Sequence, residues 1–97
     1  MSRYVLSDQA NEDVDGVLRE IAKSSPRAAV RMSDRFAARF RELAESPELG
    51  RSAKEQGPGL RRANEGVYAV FYRVLEDGIE IARVMHGMRD LPARFRD

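Results

Sequence analysis

The stretch "GLRRANEGVYAVFYRVLEDGIEIARVMH", residues 59–86, decides how this chain folds. Apolar and polar residues alternate with period two, the spacing of a half-buried strand. Three strands are predicted, at 59–63, 67–75 and 79–86. They are joined by "NEG" (64–66), with the length and glycine of a hairpin loop, and by "EDG" (76–78), whose Asp-Gly pair is a strong hairpin signal. Residues 58–87 therefore read as a three-stranded antiparallel meander. Along its last strand Ile79, Ile81, Arg83 and Met85 share one side, and Glu80, Ala82, Val84 and His86 the other. On the strand before, Tyr68, Val70, Tyr72 and Val74 oppose Val67, Ala69, Phe71 and Arg73. Neither side is polar enough for an open solvent face, so the second face is expected to be covered by another chain, a ligand or the C-terminal tail.

Upstream of a polar stretch at 51–57, the period changes to that of helices. "RYVLS" (3–7) is a short first strand. Ser7 or Asp8 can cap the helix that follows, with Asp8, Glu12 and Asp13 placed early, where the positive helix end favours acids. Ala10, Val14, Val17, Leu18 and Ile21 form its apolar stripe. "KSSPR" (23–27) ends this helix and begins another, with Ser25 as cap and Pro26 at the first helical position. The second stripe is Ala29, Met32, Phe36, Phe40 and Leu43. Arg27, Arg31, Arg35 and Arg39 ascend the opposite face at four-residue spacing. Pro47 and Gly50 in "SPELGR" stop the helix. The expected fold class is α+β in the order β-α-α-β-β-β, a helical hairpin packed on a small, mainly antiparallel sheet.

Size and composition bound what such a chain can do. Its 97 residues are expected to form one domain, with 91–97 as a C-terminal tail. No apolar run approaches the roughly 20 residues of a membrane span, and "MSRYVLSDQ" turns polar too soon for a secretory leader. A cytoplasmic location is expected. Without cysteine there is no disulfide and no thiol nucleophile, and a single histidine argues against zinc; neither metal nor cofactor is expected. A net charge of +1 and the lack of a helix-turn-helix pattern argue against direct DNA binding. Fifteen of the seventeen basic residues are arginine, which favours bidentate contacts to carboxylate or phosphate. The glycines around Pro58 are turn formers; no phosphate-loop pattern is present.

The element order, together with "LSDQANEDV", "SPELGR", "GPGLRR", "VYAVFYRV" and "DGIEIARVMHGMRD", resembles the ParE branch of the RelE/ParE toxins. These are the toxin halves of bacterial type II toxin–antitoxin systems. The resemblance runs from Tyr4 to about Asp90, with Arg83, Val84, His86, Arg89 and Asp90 in register. The first helix departs from it, having Leu18 where the family often has an aromatic, and "LPARFRD" (91–97) aligns to nothing. The resemblance implies a toxin silenced by a ParD-like antitoxin, which wraps it with an extended segment and carries the operator-binding domain. ParE-like members poison DNA gyrase and halt replication, whereas RelE-like members cut mRNA on the ribosome, so the site must choose between activities.

A ribonuclease needs a base, an acid and cations around the phosphate. Arg61, Arg62, Arg73 and Arg83 are available as cations and His86 as a titrating group, but no late tyrosine follows. His86 is the weak catalytic candidate; its plainer role is a strand-end residue hydrogen-bonded to backbone or to Asp90. A gyrase poison needs only a recognised surface, for which Arg83, Arg89, Arg94, Phe95 and Arg96 are the candidates. For the antitoxin they are Arg27, Arg31, Arg35 and Arg39, whose like charges an acidic segment would relieve, with Arg61, Tyr72 and Arg73 on the sheet. Tyr68 and Tyr72 also read as packing residues with wet hydroxyls. The reading is a gyrase-directed toxin and not an enzyme. The alternatives are a RelE-like endonuclease and an inactive antitoxin-binding relative.

Overall fold

The structure, a computed structural model, describes residues 2–89; Arg94, Phe95 and Arg96 lie outside them. Strand β1 (Arg3–Leu6) leads into helices α1 (Asp8–Ser24) and α2 (Pro26–Glu45). A single 3₁₀ turn (Pro47–Leu49) is followed by β2 (Arg51–Ser52), β3 (Arg61–Glu65), β4 (Tyr68–Leu75) and β5 (Gly78–His86). The five strands lie in the order β1-β5-β4-β3-β2. β1 runs parallel to β5 and every other pairing is antiparallel. The α+β class and the helical hairpin are as expected. The meander gains a two-residue edge strand inside the stretch read as polar connection.

The helix boundaries follow from capping. The Ser7 hydroxyl accepts from the Ala10 N–H at 3.0 Å and starts α1. Ser25 serves both helices. Its N–H donates to the Ile21 carbonyl at 3.0 Å, closing α1, while its hydroxyl accepts from the Ala28 N–H at 3.1 Å, opening α2. α2 buries Met32, Phe36, Phe40 and Leu43 against Val70, Tyr72, Ile79, Ile81 and Val84 of the sheet. Phe36 and Phe40 stack at 5.9 Å, and Tyr4 and Tyr68 meet them edge-on, both at 5.5 Å. Each fully buried aliphatic side chain here, such as Ile79 or Ile81, contributes about 1.5–3 kcal/mol. α1 is covered less: of its stripe only Ala10 is fully buried, and Val14, Val17, Leu18 and Ile21 remain half-buried.

Three details depart from the sequence expectation. β3 starts and ends two residues later than 59–63, because Asn64 and Glu65 pair with Ala69 and Tyr68. The loop is then only Gly66-Val67, with Gly66 at φ +59, which an L side chain adopts with difficulty. A bulge also interrupts β5: Phe71 faces Arg83 and Tyr72 faces Ile81, leaving Ala82 without a partner on β4. One extra residue inverts the alternation beyond it. Val84 thus joins Ile79 and Ile81 in the helix-side core, and Ala82 and Met85 pack on the other face.

That second face is covered in part by the chain itself. Ala53 and Leu60, at the two ends of the β2–β3 connection, bury against Ala69 and Phe71. Arg62 lies over the Phe71 ring at 5.7 Å, and Arg73 Nε donates to the Pro58 carbonyl at 3.2 Å. The apolar residues that suggested an external cover are therefore largely met from within.

Candidate functional site

β5 changes character halfway along. Its first half is paired on both sides, with β1 matching Arg3–Leu6 to Gly78–Ile81. Gly78 is required there, since a Cβ would stand 1.8 Å from the Arg3 carbonyl oxygen. Past Ile81 the chain of β1 has turned into α1, and side chains replace the strand. The Ser7 hydroxyl donates to the Ala82 carbonyl at 2.9 Å. Asp13 Oδ2 accepts from the Val84 N–H and from Arg83 Nε, both at 2.9 Å, and Oδ1 accepts from Arg83 NH2 at 3.2 Å. Asp13 is only 12% exposed and Arg83 41%. Arg83 is thus oriented by a bidentate carboxylate from α1. Read in sequence as one of several acids near a helix start, Asp13 in fact closes the sheet edge. Only the parallel register of β1 and β5 reveals that role.

His86 ends the strand. Its Nδ1 accepts from the backbone N–H groups of Met88 and Arg89, both at 3.1 Å, and its ring meets Tyr68 edge-on at 5.7 Å. The Gly87 N–H donates to the Val67 carbonyl at 2.9 Å, tying the turn after β5 to the β3–β4 hairpin. Val67 and Met88 then stand 58% and 71% exposed, beside exposed Arg89. Val67 was read as the first residue of the strand at 67–75 but lies in the turn before it, and a lone methionine such as Met88 carries no pattern in sequence. Between α1 and the end of β5 lies an open cleft of about 770 Å³, walled by Glu12, Val17, Glu20 and Ile21 and reached by Tyr68, Val84 and Arg89.

The arginines divide into separate groups. On α2, Arg35 pairs with Glu65 of β3 at 3.0 Å. Arg39 pairs with Glu42 at 2.6 Å and donates through Nε to the Asn64 carbonyl at 3.0 Å. Arg27 and Arg31 form no ion pair among the described residues and are exposed. The ladder is therefore half surface charge and half a clamp between α2 and β3. Arg61 donates to the Gly50 carbonyl and, at 3.5 Å, to that of Glu48. Arg62 faces Arg51 across the β2–β3 pair, and burial, then Arg51, lowers its pKa. Tyr72 is fully buried. Its hydroxyl is not wet: it donates to the Pro47 carbonyl at 2.6 Å and accepts from the Gly50 N–H at 2.9 Å. That placement removes Tyr72 from any contact surface. Arg83, Arg89 and His86 come together at one end of the sheet, while Arg61 and Arg73 are turned to loop carbonyls.

Among the described residues no cluster of His, Cys, Asp or Glu is arranged to hold a metal ion, and no helix is long and apolar enough to cross a membrane. A family model described as the ParE toxin of the type II toxin-antitoxin system parDE matches residues 4–91. The chain is 27% identical over 96 residues to Toxin ParE3 of Caulobacter vibrioides, covering 98% of this chain and 96% of that one. It is 28% identical over 88 residues to Toxin RelE1 of the same organism, covering 87% and 91%. A solved structure titled "Chromosomal ParDE TA system from P. aeruginosa" superposes with a TM-score of 0.72 at 18% identity, covering 89% of this chain and 96% of that one. That likeness supports the fold.

Proposed function

The chain belongs to the ParE toxin family of type II toxin–antitoxin systems, and from that membership we propose that it arrests growth by poisoning DNA gyrase and is silenced by a ParD-like antitoxin. The observation that carries the choice of target is the use made of His86. Its Nδ1 accepts from two turn N–H groups, a use of the side chain that holding the turn after β5 accounts for. A poison requires a shaped surface, and the end of β5 offers one: exposed Arg89 beside Met88 and Val67, with Arg83 held by Asp13. Arg94, Phe95 and Arg96 follow directly in sequence and complete the proposed target-facing set.

The antitoxin is expected to bring carboxylates to Arg27 and Arg31, whose charges no internal acid offsets among the described residues. Arg35 and Arg39 lie next along the same helix and would exchange or share their present partners. The chain acts as one domain in the cytoplasm and meets DNA only through its antitoxin.

Similarity to a RelE toxin favours a second reading, an mRNA endonuclease working from the cationic face around Arg51, Arg62 and Arg73. The two separate in vitro. Purified chain is incubated with gyrase, ATP and supercoiled plasmid, and in parallel with ribosomes translating a defined message. Cleaved plasmid bound covalently to gyrase, suppressed by the antitoxin, is the expected result. Intact plasmid with a cut message would replace it by the endonuclease reading. Neither product, from folded protein, would leave an inert antitoxin binder.

A further inference from the structure

We propose that Asp13 is a positioning residue of the target-facing surface: it makes no contact with the target itself, but holds the Arg83 guanidinium in the orientation the target meets. The inference rests on the reading of Arg83 as target-facing and adds to it a residue from another element. Past Ile81 the outer edge of β5 is met from the start of α1. The Ser7 hydroxyl donates to the Ala82 carbonyl and Asp13 Oδ2 accepts from the Val84 N–H, both at 2.9 Å. A neutral hydroxyl is enough for the first of these bonds, and a neutral amide oxygen would be enough for the second. Asp13 therefore brings more than the edge requires.

The surplus, a charge and a second oxygen, goes to Arg83, whose Nε and NH2 donate to Oδ2 and Oδ1 at 2.9 and 3.2 Å. Among the ion pairs between described residues, this one alone engages both carboxylate oxygens in hydrogen bonds, and its acid is the least exposed. A carboxylate held so far from water is unfavourable unless its oxygens are bonded, and a pair with a partly exposed arginine adds little stability. What the arrangement supplies is direction. A loose arginine samples many rotamers, and ordering one as a complex forms weakens binding by about three- to tenfold. A guanidinium already held by two bonds to one carboxylate avoids most of that loss.

The backbone around Arg83 is held in the same way. The bulge at Ala82 turns Val84 into the helix-side core and leaves Arg83 in register with Phe71. Ser7 and Asp13 bond the residues immediately before and after Arg83, so strand and side chain are fixed from one place, the start of α1. Asp13 takes two of the five guanidinium donors, and the arginine side chain stays 41% exposed. Asp13 and Val84 line the open cleft, and Gly16, one turn further along the same wall, adds no side chain there. At the far end of β5 the Arg3–Asp77 pair has the same chemistry, but both side chains are more than half exposed and one carboxylate oxygen is engaged. That pair is the natural control.

Asp13→Asn retains an acceptor for Val84 and gives up the charge that holds Arg83, which separates the two roles. Wild type, Asp13→Asn, Arg83→Ala, the double variant and Asp77→Asn are each titrated into gyrase, ATP and supercoiled plasmid. The concentration of folded chain giving half of the maximal adduct is read, with the folded fraction taken from unfolding curves of the same preparations. Asp13→Asn should raise that concentration about three- to tenfold, by the loss of one ordered side chain. The double variant should match Arg83→Ala alone, because Asp13 acts through Arg83, and Asp77→Asn should match wild type. An unchanged Asp13→Asn would overturn the proposal, as would a loss that adds to that of Arg83→Ala or one that Asp77→Asn shares. Should Asp13→Asn not fold, Asp13→Ser, a neutral acceptor like Ser7, takes its place with the same outcomes. If the wild type traps no gyrase, the same five chains are scored for growth arrest on induction. Arrest that depends on Asp13 only while Arg83 is present would keep the positioning role and discard gyrase; arrest indifferent to Asp13 would discard the positioning role. A wild-type chain that neither traps gyrase nor arrests growth has no target-facing surface to position, and both readings fall.

Discussion

The two halves of β5 are built by different means. From Gly78 to Ile81 the strand has a backbone partner on each side and sends Ile79 and Ile81 into the core. From Ala82 to His86 it has β4 on one side and, on the other, hydrogen bonds supplied by Ser7 and Asp13. The first half is repetitive and closed; the second is bulged, borders an open cleft and ends in exposed apolar and cationic residues. A sheet edge finished by side chains can be reshaped by a partner at the cost of a few hydrogen bonds, whereas one finished by a strand cannot. It follows that the proposed target surface, the candidate histidine and the cleft all gather where β1 has stopped.

The contrast can be broken most severely in the first half. Gly78→Ala should cost on the order of 3–4 kcal/mol, since its methyl would displace the Arg3 carbonyl and unpair β1; denaturant unfolding reads this directly. At the junction, Tyr72→Phe keeps the packing but strips the buried Pro47 carbonyl and Gly50 N–H of their partner. A loss of about 2–3 kcal/mol is expected by the same measurement.

In the second half the effects should be smaller and local. Asp13→Ala removes the acceptor for Val84 and releases Arg83, for an expected loss of about 1–2 kcal/mol. Faster amide exchange at Val84, with Ile79 and Ile81 unchanged, would show that the two halves open separately; Asp13→Asn, which retains an acceptor, should lose less. His86→Ala should cost less than about 1 kcal/mol, because the N–H groups it accepts from can turn to water. Exchange should quicken at Met88 and Arg89.

Smallest is Asp77→Asn at the exposed start of β5. The Arg3 hydrogen bond holds the Asp77 carboxyl below its ordinary value. Its contribution is present above the unfolded-state value and is lost as pH falls through the lowered folded one. Wild type and variant should therefore differ slightly at neutral pH and converge in acid, as a thermal-unfolding series across pH would show.

Local chemistry was legible in the sequence. Ser7, Ser25 and Pro26 announced the helix boundaries, the spacing of Phe36, Phe40 and Leu43 announced the buried face of α2, and Asp77-Gly78 announced the second hairpin. What escaped depends on residues far apart along the chain. Nothing near Arg3 shows that it will lie parallel to Gly78, and without that pairing Asp13 is simply an early helix acid. Ala82 carries no glycine or proline to mark the bulge, so the sides of Arg83, Val84 and Met85 were assigned by unbroken alternation. Tyr72 looked amphipathic because the carbonyl and amide that bind its hydroxyl sit in the Pro47–Gly50 turn. The arginines were visible as a ladder, but their division into surface and clamp needed the position of Glu65 on the neighbouring strand.

The central claim is that this toxin acts as a surface on gyrase and that its histidine holds a turn. The most direct measurement is gyrase-mediated plasmid cleavage by the wild-type chain beside folded His86→Ala, with message cleavage on ribosomes scored in the same preparations. Trapped gyrase–DNA adducts from both proteins, with messages intact, are expected. Messages cut by the wild type and spared by His86→Ala, with no adduct from either, would contradict the claim and make His86 the catalyst.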